Sequence, residues 1–61
     1  MMPNILTALF RAEIAESNGE YPKAMYYYAK AKRLCSIEYT KVWCERKINA
    51  MNNSLKGFEH G

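Results

Sequence analysis

Residues 18–31 read Asn18-Gly19-Glu20-Tyr21-Pro22-Lys23-Ala24-Met25-Tyr26-Tyr27-Tyr28-Ala29-Lys30-Ala31, and this stretch decides the fold. Asn18-Gly19 is a stop signal, because glycine enters the left-handed conformation that ends helices without a Cβ penalty. Pro22 then suits the first turn of a new helix, where its missing N–H is no loss. Ala24 and Ala31 are small and lie two turns apart on one face, so a neighbouring backbone can approach closely there. Tyr21 and Tyr28 would fill the wedge on either side. The stretch is therefore a tight turn followed by a helix built for close antiparallel packing.

Working outward, three helices are expected at about 5–17, 22–34 and 37–55, with 1–56 forming one domain and 57–61 a frayed tail. Asn4 is the N-cap of the first, preceded by Pro3, and Ile5, Leu6, Leu9, Phe10 and Ile14 recur at helical spacing as its apolar face. The second ends on Lys30, Lys32 and Arg33, which favourably oppose its dipole. Ser36 is the expected N-cap of the third, with Glu38 in its first turn. Cys44, Ile48, Met51 and Leu55, spaced four, three and four apart, form the third helix's seam. Connections this short make neighbouring helices antiparallel. The fold class is all-α, an antiparallel helical hairpin extended by a third helix into a small bundle.

The chain has 61 residues, 49% apolar and 25% charged, with formal net charge +3. That is a globular composition, but a chain this short buries only about 60% of its unfolded surface. It needs very regular packing or a partner. Arg11 stands against Glu13, Glu16 and Glu20 in residues 1–20, a net of −2, whereas the remainder carries a net of +5. The basic C-terminal part suits acidic partners or nucleic acid. No signal peptide or membrane-length apolar run is visible, so a cytoplasmic protein without membrane insertion is expected.

Cys35 and Cys44 are expected to be reduced, half-buried thiols. The helical reading separates their Cα atoms by about 10 Å, beyond disulfide range. Neither a metal nor a cofactor is expected, since His60 is the single histidine and four zinc ligands cannot be assembled. Catalysis is not expected either. The serines and cysteines lack a nearby base, Glu13 and Glu16 read as a polar face, and no glycine-rich phosphate loop exists.

Gly19, Tyr21, Ala24, Tyr28 and Ala31 resemble the second half of a tetratricopeptide repeat, whose pattern is Gly-x-Tyr followed by alanine, an aromatic and alanine. Ala12 suits the small position of the first half, at the helix crossing, so that small side chains at 12, 24 and 31 let the two axes come together. Ala8, Arg11 and Ala15 depart from it, standing where the family has an aromatic, leucine and tyrosine. The same residues resemble the second helix of the microtubule-interacting-and-transport domain, a three-helix bundle whose basic third helix is similar to residues 39–56. Both resemblances imply a non-enzymatic module that holds a helix or peptide of another protein between its helices. One repeat cannot bury its faces alone, so the chain is either a hairpin capped by its third helix or half of a homodimer.

The expected contact anchors are Tyr26, Tyr27 and Trp43, with Lys32, Arg33, Arg46 and Lys47 as a charged rim. Three successive tyrosines span about 200° of helix, so Tyr28 should be buried while Tyr26 or Tyr27 reaches the surface. Trp43 either caps the core or lies in an interface. The alternative is a helix-turn-helix regulator, for which Ala15, Gly19, Met25 and Tyr28 supply the skeleton. Lys23, Tyr26, Tyr27 and Lys30 would then face nucleic acid. Against it, Glu20 would meet phosphate with the wrong charge, and the usual base-reading side chains are missing from the helix's first turns.

Overall fold

A computed structural model describes residues 4–60, with side chains through Gly57; Pro3 and the side chain of His60 lie outside it. Three helices follow one another: α1 (Ile5–Ser17), α2 (Tyr21–Leu34) and α3 (Glu38–His60). No strand occurs among the described residues. Asn4 caps α1, its side chain accepting from the Thr7 N–H at 2.9 Å. Helix α2 begins at Tyr21, one residue before its expected start, and places Pro22 in its first turn. Helix α3 begins two positions after Ser36 and continues past Leu55 to His60.

Between α1 and α2 the chain reverses in three residues. Gly19 has φ +78°, the left-handed region that disfavours a side chain. The Gly19 N–H donates to Glu16 O and the Glu20 N–H to Ala15 O at 2.9 Å, the paired bonds of a Schellman ending. The second connection, from Cys35 to Ile37, is as short. There Cys35 Sγ accepts from the Ile37 N–H and donates to the Ile37 carbonyl. Cys35 and Cys44 are both free and both buried, rather than half-buried as expected.

Helix α2 packs against both α1 and α3 and lies between them. The molecule measures 41 × 22 × 13 Å. Helices α1 and α3 both pack on α2 and not closely on each other, so the arrangement is open. The core along the α1–α2 crossing is alanine on both sides: Ala8, Ala12 and Ala15 against Ala24 and Ala31, with Tyr28 wedged among them. Cys44 and Met51 bring in α3, and Trp43 and Ile48 pack at the margin.

The inward face of α1 holds Ala12 at the crossing as expected, but not all of the apolar residues that recur along the helix. Ile5 and Leu9 are half-buried against the core, but Leu6, Phe10 and Ile14 are 73%, 64% and 45% exposed. At about 100° per residue, Ala8, Ala12 and Ala15 share one side of α1 while Leu6 and Phe10 project from the opposite one. The physical reason lies in α2. Its alanines draw the two backbones together, and only equally small residues fit where they meet. No described helix is long and apolar enough to cross a membrane.

Because Ala24 has no exposed surface at the crossing, Ala24→Leu should overpack it. A loss of about 1–3 kcal/mol is expected, read as a lower urea midpoint and melting temperature by circular dichroism. An unchanged midpoint would mean that the crossing has room to spare.

Candidate functional site

The tyrosine run resolves into three environments. Tyr28 is fully buried, Tyr26 is exposed and Tyr27 half-buried, the last two meeting edge-to-face with ring centroids 5.1 Å apart. Both outer tyrosines lean over the α1–α2 seam, where no residue of α3 takes part. A groove of about 270 Å³ runs there, its walls formed by Thr7, Ala8 and Arg11 of α1 and Tyr26, Tyr27 and Lys30 of α2. Arg11 and Lys30 supply two positive charges and no carboxylate lines the groove. A second hollow of about 150 Å³ shares Arg11 and Tyr27 and continues towards the Gly19 turn, where Lys23 pairs with Glu20 at 3.8 Å.

The other expected contact residues do not join Tyr26 and Tyr27. Trp43 and Arg46 border a separate hollow on α3 beside Tyr39 and Val42. Lys32 and Arg33 edge another, between α2 and α3, with Lys41. Lys32 Nζ is paired with Glu45 Oε2 of α3 at 3.3 Å. Lys47 is engaged inside the fold: its Nζ donates to Glu16 Oε2 at 3.1 Å and lies 5.6 Å from the Trp43 ring centroid. The expected charged rim is thus distributed over three places. Arg11 and Lys30, which accompany the tyrosines, were not among the expected rim residues.

Glu16 is the residue whose role sequence reading missed. It read as half of a polar face with Glu13, but its carboxylate joins all three helices. Tyr28 OH of α2 donates to Glu16 Oε1 at 2.8 Å while Lys47 of α3 donates to the other oxygen. Trp43 closes the circuit by meeting Tyr28 edge-to-face at 5.7 Å. The Tyr28 hydrogen bond, more than the Lys47 ammonium, holds the Glu16 carboxyl below its usual range, against an opposing push from burial. Burial and the carboxylate at its hydroxyl push Tyr28 up, so it stays protonated and donating. Burial likewise raises the Cys44 thiol, which keeps it from the thiolate form that reacts. The signal for Glu16 was weak, since its partners lie 12 and 31 residues away.

The Glu16 pKa is lower folded than unfolded. Its stabilisation is therefore fully present above the ordinary carboxylate value, 4.5, and is lost as pH falls through the lower folded value. Tyr28→Phe should destabilise the chain by about 1.5 kcal/mol at neutral pH. The gap to wild type should narrow in denaturation curves taken as pH drops below 4.5. A pH-independent gap would show that the hydrogen bond is not what couples the two residues.

Comparisons with protein-family models, with characterised proteins and with solved structures found no match to this chain.

Proposed function

We propose that this chain is a small non-enzymatic binding module, an adaptor or regulator acting in the cytoplasm. It holds an acidic helix or extended peptide of another protein along the α1–α2 groove. The observation that carries this reading is the groove itself: two surface tyrosines flanked by Arg11 and Lys30, with no negative charge among its walls. Tyrosines offer rigid, amphipathic contact area at small entropic cost. Flanking cations steer an acidic segment and reject a basic one. The likeness of Gly19, Tyr21, Ala24, Tyr28 and Ala31 to a tetratricopeptide repeat or a microtubule-interacting-and-transport domain supports the same activity class, since both bind peptides between helices.

The helix-turn-helix alternative has less support. Helix α2 is flanked by a helix on each side, and Tyr27 and Lys30 are turned towards α1 instead of standing free for a major groove.

Nuclear magnetic resonance titration of the labelled chain with an acidic amphipathic peptide, and with the same peptide carrying lysine for glutamate, tests the proposal. The acidic peptide should shift Thr7, Arg11, Tyr26, Tyr27 and Lys30, and raised salt should weaken it. Tyr26→Ala/Tyr27→Ala or Arg11→Glu should reduce affinity at least about tenfold, a loss near 1.4 kcal/mol. Equal binding of both peptides, or shifts confined to α3, would reject the groove. Salt-sensitive retardation of mixed-sequence duplex DNA without peptide binding would replace the proposal with the nucleic-acid alternative.

A further inference from the structure

Helix α1 turns its bulk away from its own core. Leu6, Phe10 and Ile14 lie four residues apart and form one continuous ridge, 73%, 64% and 45% exposed. Rows spaced by four residues are the ridges that interdigitate when two helices cross in the commonest packing class. Beside this ridge lies a hollow of about 280 Å³, bordered by Phe10, Glu13, Ile14 and Ser17. Helix α1 thus carries an apolar knob at its N-terminal end, Leu6, and a shallow, open depression at its C-terminal end, bordered by Phe10 and Ile14 with Glu13, Ser17 and Asn18. A surface bearing both halves of one fit is self-complementary, as a two-fold interface requires.

We infer that the outer face of α1 is a self-association surface, on which a second copy of this chain packs antiparallel. With the two-fold axis passing beside Phe10, Leu6 of each copy enters the hollow beside Ile14 of the other, and the two Phe10 rings meet. Three observations favour a second copy over other occupants. The charges nearest the ridge are Arg11 and Glu13, which cancel, so nothing there selects an acidic or basic partner. A membrane-surface helix would carry lysines and arginines along its polar face, whereas Glu16 and Glu20 are the next charges on α1 and its turn. Antiparallel pairing also sets each helix's positive N-terminus beside the Glu13 half of its neighbour, a favourable arrangement of charge and dipole.

The area sets the strength. A helix of 13 residues is about 20 Å long. One such pair buries less than the roughly 800 Å² per partner of a standard interface. The association is therefore weak, with a dissociation constant on the order of 10–100 µM. Leu6 and Phe10 point away from α2, and Ile14 borders the hollow towards the Gly19 turn but not the groove proper, so self-association goes beyond peptide capture in the α1–α2 groove.

Sedimentation equilibrium of the full chain from roughly 10 µM to 1 mM tests the inference. Wild type should pass from 7.1 kDa to twice that mass. Leu6→Glu and Ile14→Lys each place a charge where the helix dipole welcomes it, so the fold is retained, and circular dichroism verifies this. Each variant alone should stay monomeric over the whole range. Mixing them should restore the dimer, because antiparallel pairing sets the new glutamate of one copy against the new lysine of the other. Tyr39→Ser, on the exposed start of α3, should dimerise like wild type. A wild type that is monomeric throughout would overturn the inference, as would a variant dimerising undiminished. A mixture that fails to recover, or a Tyr39→Ser chain that loses the dimer, would equally reject an antiparallel α1 interface.

Discussion

The closeness of α1 to α2 governs the rest of the molecule. Alanines face each other across that crossing, and an interface of methyl groups permits an approach that any longer side chain would prevent. Two consequences follow. Wherever α1 meets α2 it must be small, so its leucine, phenylalanine and isoleucine are displaced to the flanks and the outer face. And the volume that alanines leave at the edge of the crossing must be filled from α2. Tyr28 does so, and burying its ring brings a hydroxyl inside that needs a partner. Glu16 provides one, and Lys47 then balances the carboxylate from α3. The third helix is thereby tied to the first through a residue of the second.

Much of this was readable in residues 18–31. Gly19 marks the turn because its left-handed backbone admits little else, and Ala24 and Ala31 announce close packing by their size. Both of these rules are local. Ala12 was legible as the small residue at the crossing, but apolar periodicity also groups Leu6, Phe10 and Ile14, and it assigns large residues to the interior. In α1 two faces compete: Leu6, Phe10 and Ile14 on one, Ala8, Ala12 and Ala15 on the other. Both recur at helical intervals. The choice between them is made by α2, whose small residues can accept only the alanine face. It is a tertiary decision, and it was available in principle by asking which face of α1 matches the volume offered at Ala24 and Ala31.

Charge was less legible than shape. A run such as Arg46-Lys47 looks uniform in sequence, yet Arg46 stays exposed while Lys47 is drawn inward over Trp43. Lys32 similarly spends its charge on Glu45. Pairings of this kind join different helices, and no spacing rule along the chain reports them. The tyrosines fared better, because three consecutive residues cannot share one helical face and a surface position for one of them was obligatory. What accompanies them, Arg11 from a different helix, depends on how α1 is rotated, which its own apolar periodicity leaves open between two faces.

The same rotation leaves Leu6, Phe10 and Ile14 of α1 largely in water. Fully covering a leucine or phenylalanine side chain is worth about 1.5–3 kcal/mol, and the core of a chain this size rarely supplies more than about 3–5 kcal/mol. With alanines filling the α1–α2 crossing and Tyr28 and Cys44 the largest side chains fully enclosed, the interior lies at the modest end of that range. The apolar surface that α1 holds outward is thus comparable in worth to the net stability of the isolated chain. Whatever covers it shifts the folding equilibrium by mass action. A helix pair that meets through alanines gains a closely spaced geometry, and it does so by leaving Leu6, Phe10 and Ile14 on its outer face, outside the core.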